Sequence, residues 1–243
     1  MSKCISPLEQ TPSGAQQLGN TWFRQGCFAE AIAQYDCALA LKLDDADLWV
    51  RRGNALQGLA LETRTLEIRT LETRTLETRI LWNSAERIGA HPAVAGQRNF
   101  AEAVSDHLRA AIASYTTALQ LRSGYPEAFV GRAMALYHLG RYAQALENYD
   151  AALGIRADYS EDWYGRGLVL HQLGQFEAAI ASYDRALRLD PMASKAWVKR
   201  GVASQALGRE AEALENYDRA AIAPTRPQPP RPHSSWCQPE CSG

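Results

Sequence analysis

Few side chains in this 243-residue chain stand at spacings that could do chemistry. His138 and His171 are far apart in sequence, with no acidic or cysteine partner to make a base or nucleophile pair. His233, Cys237 and Cys241 form H-x3-C-x3-C, which offers three ligands where a closed structural zinc site uses about four. That segment reads as a tail with incidental thiols, and Cys27 and Cys37 read as small apolar side chains. The sequence contains no G-x-x-x-x-G-K-[ST] loop, H-E-x-x-H pair, G-x-S-x-G turn or EF-hand loop. No enzyme, cofactor or metal is therefore expected. Arg52, Arg132, Arg166 and Arg200 are the clearest chemical series. A guanidinium ladder binds carboxylates by bidentate hydrogen bonds, either on a ligand or on Glu and Asp of adjoining segments.

Bulk charge adds little to this. With 26 basic and 27 acidic residues there is no electrostatic case for nucleic acid. No run approaches about 18 apolar residues, so no membrane span is expected. The stretch Met1–Pro7 lacks the apolar core of a signal peptide, which leads to the expectation of a cytoplasmic protein.

The elements that must position these residues recur at a fixed period. Trp163 recurs as Trp197, Gly140 as Gly174 and Gly208, Tyr149 as Tyr183 and Tyr217, and Ala145 as Ala179 and Ala213. Within one unit, Trp163, Gly167, Leu170 and Leu173 follow helical spacing and stop at Gly174, which suits a left-handed helix cap. Phe176, Ala179, Ile180, Tyr183, Ala186 and Leu187 make a second helix that ends before Pro191. Each unit is thus a helix hairpin that buries its apolar face by stacking on its neighbours.

This pattern of Trp, Gly, Tyr, Ala and Pro, with a period of about 34 residues, resembles the tetratricopeptide repeat, of bacterial type. The resemblance implies an all-α, right-handed superhelical solenoid of antiparallel hairpins. Five units are expected at 14–47, 48–127, 128–161, 162–195 and 196–223, between a disordered leader (1–13) and a Pro-rich disordered tail (224–243).

The second unit is broken. The step from Trp49 to its equivalent Phe129 exceeds one period by about 46 residues, which places an insertion at about 60–98. The insertion opens with four pentads, Leu61-Glu-Thr-Arg-Thr and its near copies at Leu66, Leu71 and Leu76. A five-residue step turns a helix by about 140° net, so these leucines wind around it and make no apolar stripe. Leu, Glu and Arg still favour helix locally. The stretch Asn83–Arg98 reads as loop, and a long second helix of about 22 residues is expected from Phe100. The solenoid is expected to survive, with the insertion projecting from one edge.

The resemblance also implies a concave groove, lined by the first helices, that holds a protein or peptide. Matching positions are Gln16, Asn20, Arg24, Asn54, Gln57, Tyr137, His138, Tyr164, His171 and Gln172, with Arg132, Arg166 and Arg200 near its edge. Of the five residues with which some relatives clamp a chaperone carboxylate, only Asn20 and Arg132 are kept; Gln16, Arg51 and Ala128 replace the others. That argues against a chaperone partner. The leading reading is a non-catalytic interaction scaffold. The alternative is a recruiting arm for a glycosyltransferase or kinase carried on another chain. The C-terminal unit lacks a cap, and homo-oligomerisation through it is expected.

Overall fold

The computed structural model describes residues 11–85 and 95–222, with backbone alone over 70–85 and 95–99. Within these residues there are ten helices and no strands. They pair as α1 (Pro12–Arg24) with α2 (Phe28–Leu41), and α3 (Ala46–Ala85) with α4 (Ala95–Leu121). Then come α5 (Pro126–His138) with α6 (Tyr142–Ile155), α7 (Ser160–Gln172) with α8 (Phe176–Leu189), and α9 (Ser194–Ala206) with α10 (Glu210–Ile222). Each hairpin also packs on the next through α2–α3, α4–α5, α6–α7 and α8–α9, so the fold is an all-α solenoid. The expected tail, the H-x3-C-x3-C spacing and most of the leader lie outside the described residues.

Turn chemistry sets the hairpins. Gly26, Gly140, Gly174 and Gly208 have φ between 72° and 81°, a region that a Cβ disfavours. In the α5–α6 turn, Arg141 N–H donates to Leu136 O at 2.9 Å and Gly140 N–H to Tyr137 O at 3.0 Å, closing the first helix with a Schellman-type cap. Between hairpins, the indole N–H groups of Trp49, Trp163 and Trp197 each donate to a carbonyl six residues earlier at 2.9 Å, pinning the turn.

Inside each hairpin a tyrosine fills the seam. Tyr35, Tyr115 and Tyr183 are essentially buried, and a Cβ built on Gly53 would stand 2.6 Å from the Tyr115 ring. The close approach of the two helices depends on that missing methyl group. Cys27 is buried and disulfide-bonded, not the simple apolar thiol expected, while Cys37 forms no disulfide.

Two expectations about the chain's irregular parts change, and the pentads take the conformation their residues favour. The leader ends sooner, because the Thr11 hydroxyl accepts from Gly14 N–H at 3.1 Å and Pro12 opens α1. The pentads are helix. Ala60 stands one repeat period after Gly26, where the other hairpins carry their turn glycine, so nothing stops α3, which reaches Ala85 and is 40 residues long. The expected loop at 83–98 is helical at both ends, since α3 reaches Ala85 and α4 begins at Ala95 and is 27 residues long. Leu61, Leu66 and Ile68 are 43–49% exposed, as expected for side chains that wind around a helix without forming a stripe. The second hairpin nevertheless closes across the insertion, with Tyr115 Oη donating to Asn54 Oδ1 at 2.7 Å.

Candidate functional site

The first helices α1, α3, α5, α7 and α9 place two groups of polar side chains along one side of the stack. At its N-terminal end, Asn20, Phe23 and Arg24 from α1, Tyr35 from α2, and Arg51 and Asn54 from α3 line a cleft of about 110 Å³. The Oδ1 of Asn20 accepts from Tyr35 Oη at 2.9 Å and from Arg51 Nη1 at 3.1 Å. Its amide NH2 is left as a donor, and so is that of Asn54, whose Oδ1 takes the Tyr115 hydroxyl. Arg24 and Arg51 are exposed and have no carboxylate partner among the described residues. Burial raises the Tyr35 pKa, while the nearby Arg51 and Arg24 charges pull it back. The cleft is therefore lined by donors and cations with no acid, an arrangement that suits an anionic group.

The middle of the stack is aromatic. Tyr137 packs near His138 and Tyr142, each at a ring separation of 5.6 Å, and its hydroxyl accepts from Gln172 Nε2 at 3.4 Å. Tyr164 lies 6.0 Å from the Tyr183 ring, and His171 lies 5.1 Å from Phe176. The buried Tyr183 hydroxyl and His171 Nδ1 have no hydrogen-bond partner among the described residues. Burial lowers the pKa of His138, helped by the Arg64 charge, and lowers that of His171, helped by Lys199. Burial raises those of Tyr149, Tyr164 and Tyr183.

Not every residue expected in the groove is free to act there. Gln57 is buried, and its Nε2 donates to Gly131 O at 2.6 Å, tying α3 to α5. Gln16 is half-buried one turn before Asn20 and does not line the cleft. Ala128 is buried. The arginine ladder turns toward the second helices. Nε of Arg52 meets Asp36 at 2.5 Å, that of Arg166 meets Asp150 at 2.6 Å, and that of Arg200 meets Asp184 at 2.7 Å. The Nη1 groups of Arg52 and Arg166 donate to Ser114 and Ser182, both at 2.8 Å, and that of Arg200 to Asn216 at 2.6 Å. Each of these three arginines rivets three successive helices. Arg132 is the exception. Thr116 replaces the acid, so its Nε turns to Asn148 at 2.7 Å while Nη1 reaches Thr116 only at 3.5 Å.

The sequence reading missed Phe23 and the tyrosine hydroxyls, and it considered Arg51 only as a mismatch. The signal for the hydroxyls was present, because every unit uses Tyr where a ring alone would fill the seam, and a buried O–H needs a partner. No helix of the described residues is long and apolar enough to cross a membrane, and no cluster of metal-binding side chains occurs among them.

Comparison with known proteins agrees with the fold. The TPR-repeat family model matches residues 133–174 and 167–208. A crystal structure of MamA superposes with a TM-score of 0.60 at 16% identity, over 87% of this chain and 91% of that one. MamA 41-end from Desulfovibrio magneticus RS-1 gives 0.63 at 15% identity, over 90% and 97%. YrrB, described as a TPR protein with an unusual peptide-binding site, gives 0.56 at 17%, over 87% and 85%. At these identities the likeness concerns the fold. No curated protein matches the chain.

Proposed function

We propose that this chain, a tetratricopeptide-repeat protein, is a non-catalytic scaffold that holds an extended peptide along its first helices, with an acidic group of the peptide seated in the N-terminal cleft. The observation that carries the reading is the acid-free set of donors formed by Asn20, Arg24, Arg51 and Asn54. Two guanidinium groups and two amide NH2 groups complement a carboxylate, whose oxygens accept several hydrogen bonds at once. The half-buried rings of Tyr137 and Tyr164 offer the rest of the peptide flat apolar surface edged with hydroxyls. YrrB, similar in fold, is described as having a peptide-binding site.

The test is binding of fluorescent ten-residue peptides, acidic and basic, measured by anisotropy against the full chain. Acidic peptides should bind preferentially and lose affinity as salt rises. Arg24→Gln and Arg51→Gln should each weaken that binding about tenfold, the scale of one charge-assisted contact. Acidic and basic peptides bound equally well, or acidic binding indifferent to both substitutions, would overturn the proposal.

A further inference from the structure

Among the described residues, α10 carries half of an interface whose other half occurs three times along the stack. The outer faces of α2, α6 and α8 each present an aspartate, Asp36, Asp150 or Asp184, and each is covered by the next first helix, whose arginine bonds that aspartate. The covering helix carries Trp three places before the arginine, in Trp49–Arg52, Trp163–Arg166 and Trp197–Arg200. On α10 the same register continues. Asp218 stands one repeat period after Asp184, and Leu214 one period after Ile180. Ile180 is 8% exposed beneath α9, whereas Leu214 is 63% exposed. Asp218 is exposed and has no ion pair or hydrogen bond among the described residues. Tyr217 is only half-buried, against full burial of Tyr183.

We infer that the outer face of α10 is a second binding surface, separate from the groove, for a partner protein that supplies an amphipathic helix with an aromatic residue and, three places later, an arginine. The charge pattern selects this occupant over a second copy of the chain. In a head-to-tail pair α1 would come against α10, and α1 has Leu18 where α9 has Arg200. Leu18 would leave the Asp218 carboxylate without the ion pair that Asp36, Asp150 and Asp184 each make. An arginine there would instead repeat the 2.7 Å contact between Arg200 and Asp184.

The probe is a fluorescent peptide of residues 190–208, which contains α9 itself, titrated with the full chain and followed by anisotropy. Saturable binding is expected. It should weaken about tenfold with Asp218→Asn or Leu214→Lys in the chain, or with Arg200→Gln in the peptide, and stay unchanged with Arg51→Gln in the chain. Absence of saturable binding would overturn the inference. So would binding lost on Asp184→Asn but kept on Asp218→Asn, which would mean that the peptide displaces α9. A chain mass that rises with concentration and is held monomeric by Leu214→Lys would give the face to a second copy, and overturn the choice of partner.

Discussion

At the scale of single residues, the arginine ladder does structural work that its spacing alone left open. Arg52, Arg166 and Arg200 each engage an aspartate sixteen residues back, and only Arg132 meets Thr116 there. Its guanidinium is half-buried, and the burial pulls its pKa down. Thr116→Asp should therefore stabilise the fold, by up to about 1 kcal/mol because the site is partly open to solvent. Thermal unfolding should show it as a Tm rise of about 2 °C, whereas Asp150→Asn should lower Tm by a similar amount. A Tm that falls on Thr116→Asp would mean that Arg132 has no need of a counter-charge. The ladder's direction was not legible in the sequence, because one helix's repeat gives the spacing of its arginines and not which neighbour they face. The turn glycines were legible, since only a positive φ explains Gly at one place in four hairpins.

At the scale of elements, the second hairpin shows how little a stack asks of one turn. Losing the turn glycine at Ala60 lets α3 run through the pentads, yet Asn54 and Tyr115 still meet. The sequence carried both facts. Pentad arithmetic accounts for the exposure of Leu61 and Leu66, and the sequence itself has Ala60 where a turn glycine would end the helix. Deleting 61–106 joins position 60 to His107, which returns Leu108 to the place held by Phe176 in the fourth hairpin. With Ala60→Gly to restore the turn, the shortened chain should unfold in one cooperative transition and bind acidic peptides within about twofold of the parent. Circular dichroism and anisotropy read both. A shortened chain that is unfolded, or that no longer binds, would show that the extended hairpin supports the stack.

At the scale of the whole molecule, stability in a solenoid is close to a sum over neighbours, so the ends are held by one interface and the middle by two. Hydrogen exchange followed by mass spectrometry should find α9 and α10 opening before α5–α8, with α10 the least protected. Uniform protection along the stack would mean that the hairpins unfold as one block. The same independence bears on the long helix α3. Its repeating unit is a pentad, hence five codons, so gain or loss of one copy preserves the reading frame. Each event would lengthen α3 by about 7.5 Å and turn whatever it carries by about 140°, leaving the groove and both ends of the stack as they are. The pentads thus give the hairpin a length that can change by whole helical steps without a shift of reading frame.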